Sequence, residues 1–281
     1  MRTIIHLSDL HFGRIDQTLI APLTSLIAHL APDLVVVSGD LTQRATSGQF
    51  KAARTFLDSL PQPQLVVPGN HDISLHNLFS RFVLPLGKYR KFVTPELEPV
   101  YADDEIAVLG INTVRSLTFK DGRINREQIA RLRSRLSDLG TERTKIIVTH
   151  HPFDLPAHFH EKRLVDRAPL AMAMFAECGV DLLLAGHYHS SHAASTSGRY
   201  KTAGYAALVV QAGTATSTRG RGETNSFNVI RVEPGRIGVE RYGWDSASAS
   251  FQPAGSETFD RHAAIWTSVT ANIPGSVPSI P

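Results

Sequence analysis

The residues most able to do chemistry stand where apolar runs end. Val66-Val67-Pro68-Gly69 leads directly into Asn70, His71 and Asp72. A core gains nothing from an amide, an imidazole and a carboxylate in consecutive positions, so this turn reads as functional. Four other apolar runs end in the same manner. Thr3-Ile4-Ile5-His6-Leu7 gives way to Asp9 and His11, and Leu34-Val35-Val36-Val37 to Asp40. Lys145-Ile146-Ile147-Val148-Thr149 precedes His150 and His151, and Asp181-Leu182-Leu183-Leu184-Ala185 precedes His187 and His189. In Asp9-Leu10-His11 and His187-Tyr188-His189 the polar residues alternate, which puts both on one side of an extended chain.

Carboxylate, imidazole and amide donors suit Mn, Fe, Zn, Co or Ni, and no thiolate stands in these turns. If one carboxylate bridges, the set offers eight ligand contacts, enough for two ions. Two divalent ions bring four positive charges; Asp9 and Asp40 remove two, and a bridging hydroxide one more. The remaining charge, about +1, matches a phosphodiester monoanion, and a two-metal site activates water and clamps the attacking and leaving oxygens of such an ester. Each motif alone has a simpler reading. His11 could be a satisfied core histidine, Asp40 a helix cap, Asn70 a left-handed turn residue and His150 an ordinary strand-end residue. Together these readings would need five coincidences at five strand ends, where open α/β sheets bind ligands.

The elements that must position these residues follow from periodicity. Residues 3–8, 34–38 and 64–67 read as strands, and 17–30 and 46–60 as helices with apolar residues at helical spacing. Pro22 fits the first helical turn. This β-α-β-α-β order implies parallel strands with right-handed crossovers. Residues 73–99 interrupt it with a short amphipathic helix and several prolines, as a cap or insertion that either walls the pocket or is a surface excursion. Strands resume near 99–102 and 106–111. A helix over 125–137 opens at the N-cap Asn125, strand 145–149 follows, and helix 168–177 ends at Gly179 before strand 181–185. Short strands with Gly-rich turns occupy 206–212, 226–233 and 236–243. The division expected is a catalytic domain over 1–245 and a C-terminal extension over 246–281, whose last ten residues read as a poorly ordered tail.

Length and composition fit this scheme. The 281 residues suffice for one large domain or two small ones. At 42% hydrophobic and 20% charged, the chain is ordinary for a globular protein. A formal charge of +3, without basic clusters, argues against a nucleic-acid partner. The single Cys178 excludes an internal disulfide framework. No basic segment followed by an apolar one opens the chain, and no apolar run approaches the ~20 residues of a membrane span. A cytoplasmic location is expected, and assembly into a homo-oligomer is left open.

The ordered set Asp9-x-His11, Gly39-Asp40, Gly69-Asn70-His71-Asp72, His150 and Gly186-His187-x-His189 resembles the calcineurin-like metallophosphoesterase superfamily over residues 3 to 192. The resemblance implies an α/β fold, a four-layer αββα sandwich of two mixed β-sheets flanked by helices. It implies two divalent transition-metal ions, Mn, Fe, Zn or Co. Asp9, His11, Asp40 and His189 would hold the first, and Asp40, Asn70, His150 and His187 the second, with Asp40 bridging. His71 would act on the leaving oxygen, and Asp72 would orient His71 through a hydrogen bond. Gln43 stands where the purple acid phosphatase branch has a tyrosinate ligand. The length and the His150-His151-Pro152 block look more like the bacterial cyclic-nucleotide and glycerophosphodiester phosphodiesterase branch. The activity expected is hydrolysis of a small phosphodiester; a pyrophosphatase or phosphomonoesterase is the alternative, with a nuclease or a non-catalytic binding module behind it. Outside this set, His151 either lines the pocket or faces away. Arg219 and Arg221 are either phosphate ligands or a solvated basic loop, and His76, His158 and His160 carry little weight as ligands.

Overall fold

The computed structural model describes residues 1–74, 78–116, 120–155, 164–219 and 222–272, with the backbone alone at 78–80 and 270–272. Expectations for His76, His158, His160, Arg221 and the last nine residues fall outside these. The described elements run β1 (Arg2–Leu7), α1 (Ile20–Leu30), β2 (Leu34–Ser38), α2 (Ser47–Asp58), β3 (Gln64–Val67), α3 (Leu78–Val83), α4 (Gly87–Phe92), β4 (Val100–Ala102) and β5 (Ile106–Gly110). They continue with α5 (Arg126–Asp138), β6 (Thr144–Val148), α6 (Ala168–Cys178), β7 (Leu182–Ala185), β8 (His192–Ser195) and β9 (Leu208–Gln211). The last four strands are β10 (Ser226–Glu233), β11 (Arg236–Asp245), β12 (Ser250–His262) and β13 (Ile265–Asn272).

Among the described residues these strands make two mixed sheets. One has seven strands in the order β13-β12-β11-β10-β1-β2-β3, the other six in the order β4-β5-β6-β7-β9-β8. Strands β1, β2 and β3 are parallel, as are β5, β6, β7 and β9. The two-residue period of a strand sorts their side chains into layers. Ile4, Leu34, Val36 and Val67 face Val108, Ile146, Leu182 and Val210 between the sheets. Ile5, Leu7, Val35 and Val37 point the other way, onto Leu23 and Ile27 of α1 and Phe50, Phe56 and Leu57 of α2. On the far side Leu109, Ile147 and Leu183 cover Leu132 and Leu136 of α5 and Phe175 of α6. The order helix, sheet, sheet, helix is the four-layer sandwich expected. Continuous apolar runs suit strands covered on both faces, and each fully buried Val, Leu or Ile adds roughly 1.5–3 kcal/mol over leaving it exposed.

Local signals explain the helix ends. Thr46 caps α2 by accepting from the Gln49 amide, Asn125 and Gln128 form a reciprocal capping box on α5, and Gly179 ends α6 in the left-handed region. In the 73–99 segment, α4 belongs to the outer helical layer. Tyr89 is fully buried beside Phe50 and donates to the Val66 carbonyl at 3.0 Å. The composition of 246–281 showed no strands, yet 250–272 extend the first sheet as β12 and β13. Asp181, at the start of β7, accepts from Arg261 at 2.9 Å and from the Trp266 indole at 3.1 Å, which ties this hairpin to the second sheet.

Candidate metal centre

All five polar turns lie at the carboxyl ends of parallel strands, and hydrogen bonds across the sandwich bring them together. The His150 ring, after β6, donates from Nδ1 to the Ser38 carbonyl at the end of β2, at 2.8 Å. The His187 amide, after β7, donates to Asp9 Oδ2 beyond β1, at 2.9 Å. Close approach is built into two glycines. A Cβ at Gly69 would overlap the Asp40 amide and carboxylate, and one at Gly186 would overlap Ser8 Oγ and lie 2.6 Å from Asp9 Oδ2. Asp9, His11, Asp40, His187 and His189 all have positive φ, between 52° and 77°. Such a conformation costs an L-residue roughly 1–2 kcal/mol. Strain of this kind gathers where the surrounding structure holds side chains for a task.

The donor atoms form two groups that meet at Asp40. In the first, Nε2 of His11 lies 3.1 Å from Nε2 of His189, and Asp9 Oδ1 is 3.6 and 3.2 Å from these nitrogens. In the second, Asn70 Oδ1 is 3.1 Å from both His150 Nε2 and His187 Nδ1, which are themselves 3.2 Å apart. Asp40 Oδ2 stands 3.8 Å from His11 Nε2 and 3.3 Å from His150 Nε2. The other oxygen of each carboxylate is already engaged. Asp9 Oδ2 accepts from Ser8 Oγ and the His187 amide, and Asp40 Oδ1 accepts from the His71 amide at 2.8 Å.

This donor set fits metal ions. His189 donates from Nδ1 to the Arg219 carbonyl at 3.1 Å, so its Nε2 keeps a lone pair for the cluster. Asp9 Oδ1 is buried and has no hydrogen-bond donor among the described residues. Acceptors therefore face acceptors in a dry space, an arrangement that a cation resolves. Without a cation, protons do so. Burial works against ionising Asp9 and Asp40, yet the imidazoles of His189 and His11 around the first and of His150 around the second hold both well below the usual carboxylate range. Burial also opposes charge on His150, but the Asp40 carboxylate prevails and pushes its pKa up to about 9.

His71 lies at the rim, with a ring nitrogen within 4.8 Å of donor atoms of His11 and Asp40, but both its nitrogens are already hydrogen-bonded. Its Nδ1 donates to the Gln43 carbonyl at 2.9 Å, and its Nε2 accepts from Arg219 Nη1 at 3.2 Å. Burial, with smaller contributions from His11 and Arg219, lowers its pKa against the pull of Asp40. The expected hydrogen bond from Asp72 to His71 is replaced by a different one. Asp72 is buried and accepts from the amides of Gly69, Leu41 and Thr42 and from Thr42 Oγ1. The backbone turn aims it at the neighbouring loop, so it clamps the Asp40 and Asn70 turns together, and the Gln43 carbonyl orients His71 instead. Burial and the nearby Asp40 push Asp72 up to about 6.

The site opens into a cleft of about 330 Å³ lined by Asp40, Asn70, His71, Lys120, Asp121, His187, Tyr188, His189 and Arg219. His151 backs the site; it is buried, 4.7 Å from the His187 ring, and bonded through Nδ1 to Thr113 Oγ1 at 2.8 Å. Arg219 is the basic-loop residue that reaches the cleft. Lys120 and Asp121 escaped sequence reasoning, since Lys-Asp-Gly is an ordinary turn signal. No described residue of 73–99 is among the cleft's lining.

Residues 2–191 match the family model of the calcineurin-like phosphoesterases, and the chain belongs to that family. Among its curated relatives is the glycerophosphodiester phosphodiesterase GpdQ of Enterobacter lignolyticus, 30% identical over 171 residues, which are 54% of this chain and 58% of that protein. A probable cyclic nucleotide phosphodiesterase of Vesicomyosocius okutanii is 24% identical over 164 residues, 53% of this chain and 61% of that one. The matches thus span about three fifths of these relatives' own lengths. A dimetal phosphatase from Danio rerio superposes with a TM-score of 0.65 at 12% identity, covering 90% of this chain and 98% of that one. Purple acid phosphatase PPD1 from yellow lupin seeds superposes with a TM-score of 0.69 at 11% identity, covering 92% and 54%. At such identities these two structures bear on the fold alone. No helix among the described residues is long and apolar enough to cross a membrane.

Proposed function

We propose that the protein is a dinuclear metal-dependent phosphodiesterase acting on a small substrate of the cyclic-nucleotide or glycerophosphodiester type. The observation that carries this reading is Asp40 Oδ2 standing between the donors of His11 and His150, with Asp9 and His189 on one side and Asn70 and His187 on the other, beside one cleft. Asp9, His11, His189 and Asp40 would hold one divalent ion, and Asp40, Asn70, His150 and His187 the other, drawn from Mn, Fe, Zn and Co. When bound, such a pair polarises a phosphate ester and makes water a nucleophile near neutral pH.

The chain's own residues orient, exclude water and handle protons. The Ser38 and Arg219 carbonyls fix the ring orientations of His150 and His189. Asp72 holds the two turns that carry Asp40 and Asn70 in register. His71 is anchored at Nδ1 and presents Nε2 to the cleft; this nitrogen, unprotonated while it accepts from Arg219, would take up the proton released by the attacking water and pass it to the leaving oxygen. A poor alkoxide leaving group depends on that proton far more than a nitrophenolate does. Two carboxylates and one hydroxide against two divalent ions would leave a charge of about +1, suited to a singly charged diester, and the names of the relatives agree with this substrate class.

Turnover of bis(p-nitrophenyl) phosphate against p-nitrophenyl phosphate, on protein reloaded with each metal, tests the reading. The diester is expected to be hydrolysed with the higher kcat/KM. A monoester preference would move the substrate to phosphomonoesters, and no turnover of either ester by protein loaded with two ions would overturn the proposal.

A further inference from the structure

Arg219 sits outside both donor clusters, yet its side chain lies in the cleft they share. Its backbone is anchored: the amide donates to Ser217 Oγ at 3.1 Å, and the carbonyl accepts from His189 Nδ1. Its guanidinium is held at one corner, where Nη1 donates to His71 Nε2 at 3.2 Å and approaches Gln43 Oε1 at 3.4 Å. Both neighbours are uncharged acceptors, and among the described residues no carboxylate pairs with Arg219. Among the described residues its Nε and Nη2 hydrogens have no hydrogen-bond partner, and the half-buried side chain lines the cleft. A charged planar fork with donors to spare, beside His71 and opposite the donor clusters, is built for an oxyanion.

We propose that Arg219 binds a non-bridging oxygen of the substrate's phosphoryl group and sets its position relative to His71. The proposal rests on the reading of the site as a phosphate-ester hydrolase. Its anchor at Nη1 matters here. A guanidinium already held against His71 loses little rotamer freedom on binding, so the oxygen is delivered in a fixed relation to the imidazole. The ligand class is the phosphoryl oxyanion, in substrate or in product.

The test uses the full chain loaded with metal. Calorimetric titration with inorganic phosphate, steady-state kinetics on bis(p-nitrophenyl) phosphate and metal content are measured for the wild type, Arg219→Ala and Arg219→Lys. Arg219→Ala should keep its ions, bind phosphate roughly 10- to 100-fold more weakly, the size of a lost charged hydrogen bond, and raise KM more than it lowers kcat. Arg219→Lys keeps the charge without the fork and should fall between. Unchanged phosphate affinity and KM in Arg219→Ala would overturn the assignment while leaving the hydrolase reading in place. Loss of an ion from that variant would also overturn it, making the residue a support for His189. A wild type that holds two ions but neither binds phosphate nor turns over the ester would defeat the hydrolase reading and this proposal with it.

Discussion

Asp9 and His11 are wholly buried, whereas Asn70 and His187 line the cleft and are half-buried. The first cluster has a carboxylate of its own and shares Asp40; the second adds only neutral donors to that shared carboxylate. On the proposed dinuclear reading, a divalent ion in the first would be opposed by two negative charges, and one in the second by a single shared charge. Coulomb attraction grows with the opposing charge, so on that reading the first cluster would be the tighter cation site. Both clusters reach the cleft, the first through His189 and the second through Asn70 and His187, so the second presents more of its donors to it. On that reading the first cluster would retain its ion and the second would exchange it more readily, with Asp40 shared between them.

The sharpest way to break this asymmetry is Asp40→Ala, which removes the group that both clusters use. Turnover should fall by more than roughly 10³-fold, the upper end of what one transition-state donor contributes, and at least one ion should be lost. Near-normal turnover in Asp40→Ala alongside loss in Asp9→Ala would show that Asp40 does not bridge. His71→Ala should leave both clusters intact and keep both ions. Its turnover of an alkyl diester should drop roughly 10²–10⁴-fold, with a clearly smaller drop on a nitrophenyl ester. Equal losses on both esters would assign His71 to electrostatic stabilisation.

A smaller effect concerns the support under the second cluster. His6 lies in β1, fully buried, with Nε2 2.9 Å from Ser38 Oγ, on the residue whose carbonyl orients His150. Burial lowers its pKa to about 3 from a usual 6.5. The unfolded chain therefore binds a proton on His6 between pH 6.5 and 3 that the folded chain refuses. Stability from this residue is complete above pH 6.5 and is lost as pH falls towards 3, a change on the order of a few kcal/mol. His6→Gln preserves an amide donor to Ser38 and removes the titration. Chemical unfolding of the metal-free protein at several pH values should show a shallower acid slope for the variant; parallel slopes would mean that His6 does not titrate across that window.

The side chains of this asymmetry were legible in sequence, and their supports were not. Asp-x-His, Gly-Asp, Asn-His-Asp and His-x-His each carry a simpler reading alone, but five such turns at five strand ends would need five coincidences, so nine chemistry-bearing positions can be named. What orients them is mostly backbone: the carbonyls of Ser38, Gln43 and Arg219 carry no residue-type signal. The resemblance implies that Asp72 orients His71, whereas chain direction turns it onto Leu41 and Thr42. The outer strands β12 and β13 escaped because few of their side chains are buried; Phe251, Phe259 and Trp266 are, amid polar and small residues that show no apolar alternation.

Metal titration of the apo protein tests the central claim most directly. Calorimetry at pH 7 with a transition-metal ion, checked by metal analysis, should show two ions per chain, bound in two resolved steps with the tighter first. Asn70→Ala should weaken the second step alone, and Asp9→Ala the first. Proton release should accompany binding, because His150 is held in its charged form up to about pH 9 in the ion-free site. A single ion per chain at saturation, or two equal steps weakened alike by both substitutions, would contradict the account.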